Sequence, residues 1–202
     1  MMVLGIVGGI ASGKSLVSRE FARLGAEIID ADRLGHEVLL DSEVEASARA
    51  RWGNSIFGPD GHIDRRQLAK IVFAPGSHGV EERRYLEQLT HPRIASKMRE
   101  RIGELATLGA VDVVVLDAAL LLEAGWDEYC DEILFIDTPR ELRIERARSR
   151  GWSEADLAAR EAVQASLETK QKRATAVINN AGRPEQTIAQ VHQYWKTLTA
   201  ME

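Results

Sequence analysis

The stretch Gly8-Gly9-Ile10-Ala11-Ser12-Gly13-Lys14-Ser15 constrains this chain more than any other. It follows the apolar run Val3-Leu4-Gly5-Ile6-Val7, which reads as a buried strand. It precedes Leu16 to Leu24, which reads as an amphipathic helix ending at Gly25. It fits G-x-x-x-x-G-K-[ST] in the strand-to-helix setting that the pattern requires. Glycines let backbone wrap closely around phosphate oxygens, where a side chain would clash. Backbone amides and the helix N-terminus then face the anion. Lys14 can reach the β- and γ-phosphates, and the Ser15 hydroxyl can ligate Mg²⁺. The bland alternative is a glycine-rich turn that binds nothing.

The remaining composition narrows the class. With 202 residues, the chain is one domain, or one core with an insertion. Its net charge of −5 offers no global basic field for nucleic acid. A single cysteine, Cys130, excludes an intramolecular disulfide and a cysteine-rich zinc site, which suits a reducing cytosol. The stretch Val113 to Leu122 is too short to span a bilayer. The expectations are a cytoplasmic protein with no membrane or nucleic-acid partner.

Five apolar segments read as strands: Val3–Val7, Ala26–Ile29, Val111–Leu116, Ile133–Ile136 and Ala176–Ile178. Helical patterns separate them, which predicts a mostly parallel, doubly wound sheet binding its ligand at the C-terminal strand ends. Helices are expected over Arg33–Leu40, Glu43–Trp52, a segment capped by Asp64, and a long span from about Val80 to Leu108. His91-Pro92 should kink or split that span. The section from Arg33 to Leu108 exceeds what a crossover needs and reads as a helical insertion. Ser153 to Thr175 reads as a polar helical stretch, Ser153 with Asp156 as its cap, able to move as a lid.

Several groups could carry chemistry. Asp30 and Asp32 follow the second strand, and in extended chain they point the same way. One of them could accept the proton of an attacking hydroxyl, or both could be helix caps. Asp117, at the end of an apolar strand, suits Mg²⁺ support. Arg140, Arg143, Arg146, Arg148 and Arg150 crowd one helix; Arg146 and Arg150 share a face and lean toward phosphate contact. His91 alone reads as structural, and Asn180-Ala181-Gly182 as a turn.

These residues together resemble a known family, along the whole chain. The matches are the loop Gly8–Ser15; Ile29-Asp30-Ala31-Asp32; Asp60-Gly61 through Asp64-Arg65; His91-Pro92; Asp117 with Leu120-Leu121 and Glu123; Arg146 and Arg150; Gln164 and Lys170; and Asn180 with Gly182. In this order they resemble the dephospho-coenzyme A kinase family. The resemblance implies an α/β fold of three layers, a P-loop kinase fold with a five-stranded parallel sheet. It implies a nucleotide-binding core at 1–34, 109–150 and 174–202, a coenzyme-binding helical insertion at 35–108, and a helical lid at 151–173. The reaction implied is transfer of the γ-phosphoryl group of ATP to the ribose 3′-hydroxyl of dephospho-coenzyme A, in a monomer or weak homo-oligomer.

The resemblance also sorts the residues. Asp32 becomes the base, with Lys14 and Arg146 stabilising the transferring group. Ala11, Ser12, Gly13, Lys14, Ser15 and Leu16 cradle ATP, with Arg150, Asn180 and Gly182. Arg65 and His91 join Asp32 on the acceptor, and Ser15 and Asp117 hold Mg²⁺. The chain departs from the pattern at Leu16, Ala119, Arg143 and Thr175, where threonine, proline, glutamine and an acidic residue are usual. The Leu16 backbone N–H is expected to keep its place at the phosphates. Two rival readings are a kinase for a nucleoside or nucleotide, and a nucleotide-binding switch without catalysis.

Overall fold

In a computed structural model of the chain, which describes residues 1–200, the chain forms two compact units. One comprises Met1–Asp30 and the chain from Arg101 onward, and the other Ala31–Glu100.

The first unit is built on a parallel sheet. Its strands are β1 (Met2–Gly8), β2 (Glu27–Asp30), β3 (Val113–Asp117), β4 (Glu132–Asp137) and β5 (Ala176–Asn179). Their order is β2-β3-β1-β4-β5, all pairs parallel. Parallel strands covered on both faces need continuous apolar runs, which Val113-Val114-Val115-Leu116 supplies, all fully buried. One face carries α1 (Lys14–Leu24) and α9 (Pro184–Thr199). There Leu4, Ile6, Val17, Phe21, Leu134, Ile136, Ile178 and Val191 form one core. Burying a side chain such as Phe21 contributes roughly 1.5–3 kcal/mol. The other elements are α6 (Arg140–Arg148), α7 (Glu154–Glu161) and α8 (Leu167–Arg173).

The second unit holds α2 (Ala31–Val38), α3 (Ser42–Trp52), α4 (Arg65–Val72) and most of α5 (Ser77–Leu108). Its core gathers Ala48, Ile56, Ile63, Leu68 and Val72. Glu82, buried beside that core, accepts from Arg51 at 2.8 and 3.0 Å and from the Trp52 indole at 2.6 Å. Those contacts hold its carboxyl below the usual glutamate range, the Arg51 hydrogen bonds first.

Three local expectations are corrected. The helix α5 is continuous through Pro92 rather than split. Arg93 folds back and donates to the Leu89 carbonyl at 2.9 Å, in the turn that proline disturbs. Burial of Ile94, Ala95 and Met98 fixes the same turn in place. The stretch 153–175 is two helices, because Ser166 starts a new one by accepting from the Thr169 N–H at 3.0 Å. Finally, α2 begins at Ala31, so Asp32 lies in its first turn and not at its cap. The extended spacing that would align Asp30 with Asp32 therefore ends at Asp30. The expected caps at Asp64 and Ser153 are present.

Candidate active site

The phosphate loop leaves β1 at Gly8 and enters α1 at Lys14. Two of its residues take left-handed backbone: Gly13 at φ 95° and Ala11 at φ 61°. For alanine that conformation is strained by about 1–2 kcal/mol. The strain is offset where Ala11 is buried against Ala147 of α6 and Leu157 of α7, with Ile10, Ile144 and Trp152 around them. Ala11 and Ile10 thus tie the loop to the helices that follow β4.

The carbonyl of Ser12 accepts three donors. They are the Thr138 hydroxyl at 2.8 Å, Arg146 Nη1 at 3.1 Å and Asn180 Nδ2 at 2.6 Å. Arg146 also donates through Nη2 to the Asn180 carbonyl at 3.0 Å, and Thr187 donates to Asn180 Oδ1 at 2.7 Å. A trans peptide is planar, so the Gly13 N–H points away from all three donors. The loop is held from behind and its amide is left for an anion. The Ser12 hydroxyl is buried and has no hydrogen-bond partner among the described residues. A Cβ on Gly13 would collide with Asn180 Nδ2. A close-approach backbone with an unsatisfied buried donor fits a phosphate chain.

Beside Gly9 lies the guanidinium of Arg143, only 4 % exposed. A Cβ on Gly9 would come within 2.9 Å of it. Arg143 donates to the Thr138 carbonyl at 3.3 Å and pairs with Glu161 at the end of α7. Gly9, Ile10, Arg143, Glu161, Gln164 and Ser166 are among the residues lining a cavity of about 170 Å³. Lys170 of α8 is buried and donates to Gln164 of that lining.

Asp117 ends β3, in register with Asp30 of β2. Its Oδ2 accepts from the Ser18 hydroxyl at 2.7 Å, one helical turn beyond Ser15. No group of three or more carboxylate, histidine or cysteine side chains stands ready for a metal among the described residues. A carboxylate at Asp117 with a serine hydroxyl fits Mg²⁺, which keeps waters and takes substrate phosphates as its other ligands.

The other expected residues fall as follows. Leu16 is half-buried, and its N–H donates to the Gly13 carbonyl at 2.9 Å, within the first turn of the helix. That donation closes the first turn of α1. Arg150 is exposed, past the end of α6, and Gly182 is exposed in the turn before α9. Asp32 and Arg65 are exposed on the second unit, where Arg65 contacts His36. His91 is half-buried in α5, and burial lowers its pKa. Thr175, the replaced acidic position, accepts the Ile133 N–H at 3.0 Å, continuing the β4–β5 edge.

Sequence reasoning missed Thr138 and the part played by Arg143. Arg143 sits three residues before Arg146 in a charge run, and nothing in its spacing separates a buried arginine from a solvated one.

The comparisons agree with this architecture. The family model for CoaE, dephospho-CoA kinase, matches residues 2–186. A dephospho-CoA kinase of Geobacter sulfurreducens is 41% identical over 197 residues, 96% of this chain and 98% of the relative. The solved structure of TT1252 from Thermus thermophilus matches with a TM-score of 0.82 at 29% identity, covering 100% of this chain and 98% of that one. A dephospho-CoA kinase from Campylobacter jejuni shares the fold at a TM-score of 0.67 and 23% identity, over 97% and 96% of the two chains.

Proposed function

The chain belongs to the dephospho-CoA kinase family, and from that premise we infer that it transfers the γ-phosphoryl group of ATP to dephospho-coenzyme A, giving coenzyme A and ADP. The observation that carries this reading in the molecule itself is the braced phosphate loop. The Ser12 carbonyl is clamped by Thr138, Arg146 and Asn180, which leaves the Gly13 amide for a phosphate oxygen.

The chemistry follows from the residues. Transfer to a hydroxyl needs little covalent help and much positioning and charge stabilisation. Lys14, first residue of α1, adds its charge to that of the helix N-terminus and draws on the β- and γ-phosphates. Ala11, Ser12, Gly13, Ser15 and Leu16 complete the cradle, with Arg150, Asn180 and Gly182 on the nucleotide. The Arg146 guanidinium lies beside Gly13 while bracing the loop. The acceptor is the ribose 3′-hydroxyl. Asp32 orients it and takes its proton, and Arg65 and His91 contact the rest of the acceptor. Ser15 and Asp117 would hold Mg²⁺, which neutralises phosphate charge when bound.

Residues 35–108 act as the coenzyme-binding part and 151–173 as a lid that excludes water from the phosphoryl group. The protein works in the cytoplasm as a monomer or weak homo-oligomer. No helix among the described residues is long and apolar enough to cross a membrane.

A coupled assay of ADP release tests the reading. Dephospho-coenzyme A with ATP and Mg²⁺ should give turnover that chelation abolishes. Turnover of a nucleoside monophosphate in its place would move the acceptor class. ATP binding without transfer to any acceptor would leave a nucleotide-dependent switch.

A further inference from the structure

Lys170 is a buried cation that the reaction described above does not use. It lies on α8 and is 2 % exposed. A buried ammonium is costly unless its protons meet acceptors. Its Nζ donates to Gln164 Oε1 at 2.8 Å and lies 3.4 Å from Glu123 Oε1 and 3.5 Å from the Gly8 carbonyl. That Glu123 oxygen also accepts the Ala165 N–H at 2.5 Å. Burial, with Lys14 nearby, lowers the Lys170 pKa, and Glu123 opposes the shift.

One ammonium therefore touches three separate segments. Gly8 is the first residue of the phosphate loop. Glu123 lies in the connection after β3. Gln164 and Ala165 form the link between α7 and α8. If the pair served stability alone, an apolar replacement would do as well, since buried ion pairs often add little. The position on Gly8 gives it another effect. The Gly8 carbonyl and the Gly9 N–H belong to one planar trans peptide and point in opposite directions. Gly9 lines the same cavity as Gln164.

We propose that Lys170 is a positioning residue for phosphoryl transfer. It draws the Gly8 carbonyl back so that the Gly9 N–H is aimed at the transferring phosphate. Through Gln164, and through the Glu123 carboxylate that also holds Ala165, it sets the lid link and the loop together. The proposal rests on the kinase reading given above.

The test uses the full chain with Lys170→Met, Lys170→Arg and Gln164→Ala. Lys170→Met should lower kcat by about tenfold to a hundredfold, as small misplacements at a reacting centre do. Its affinity for a fluorescent ATP analogue should stay within about threefold, and Lys170→Arg should recover part of kcat. If Lys170→Met does not fold, Gln164→Ala is read instead, with a smaller loss of kcat expected. Unchanged kcat in the folded variant, or a loss matched by ATP affinity alone, overturns the proposal. A second readout is independent of turnover. The ¹⁵N–¹H signal of Gly9 should move on binding a non-hydrolysable ATP analogue in the native chain, and move less in the variant. An equal movement overturns the proposal. Absence of turnover by the native chain overturns the kinase reading, and the Gly9 signal still reports on Lys170.

Discussion

The side-chain amide of Asn180 donates to the backbone carbonyl of Ser12 at 2.6 Å, across 168 residues of chain. Its other end accepts from Thr187, so this buried side chain is engaged on both sides. Asn180 is therefore held against the phosphate loop that it braces. The same holds in part for Arg146, whose two terminal nitrogens reach the carbonyls of Ser12 and Asn180.

Asn180→Ala removes one loop brace and leaves the Thr187 hydroxyl without its acceptor. Loss of buried partners of this kind costs about 1–3 kcal/mol. The variant should melt at lower temperature and bind ATP more weakly. Calorimetry with and without nucleotide checks both.

Gly9→Ala should damage the site by contact, because the new Cβ meets the Arg143 guanidinium. Activity should fall by about tenfold or more, given the cost of misplacing a phosphate cradle. Adding Arg143→Gln shortens the obstructing side chain. The double variant should regain activity relative to Gly9→Ala, as steady-state kinetics would show.

Asp32→Asn should retain ATP binding and lose about 10²- to 10⁴-fold in kcat, the range for removal of a general base. Kinetics with dephospho-coenzyme A and a separate ATP titration distinguish this from a binding defect. A rate near that of the native chain removes Asp32 as the base.

Leu16→Thr restores the hydroxyl usual at that position. The Leu16 amide is engaged with Gly13, so a side-chain donor would add a contact the chain now lacks. One hydrogen bond of about 1 kcal/mol corresponds to roughly fivefold tighter ATP binding. Isothermal titration measures it.

His91 gives a pH dependence whose sign follows from burial. Its pKa lies below the ordinary 6.5, because desolvation disfavours the charged ring. The unfolded chain then binds the proton more readily than the folded one. This residue's contribution is therefore present above the ordinary pKa and lost as pH falls below it. His91→Asn should flatten that part of the acid limb in melting curves taken between neutral pH and pH 5.

Much of this molecule was readable in residue order. The loop was legible because its glycines, lysine and serine stand at fixed local spacing between a strand and a helix. The strands were legible because parallel strands buried on both faces need unbroken apolar runs. Other features depend on residues brought together only by the fold. Arg143 and Arg148 look alike in the charge run, yet one is buried against Gly9 and the other is exposed. Lys170 stands in a polar helix, and only the packing of α8 reveals its carbonyl partner. Proline chemistry left a kink or a split open in α5, and the helix is continuous through Pro92, with Ile94 and Met98 buried in the same turn.

The strand order has a consequence for how this chain is made. The strand β1 is made before both of its partners, β3 and β4, with Leu4 opposite Glu132. The donors that clamp Ser12 come from residues 138, 146 and 180. Contacts so distant in sequence close slowly, because the intervening chain must first be ordered. The phosphate loop is thus braced only once the chain as far as Asn180 has been made. A stalled or truncated product would carry an intact loop sequence that cannot hold ATP.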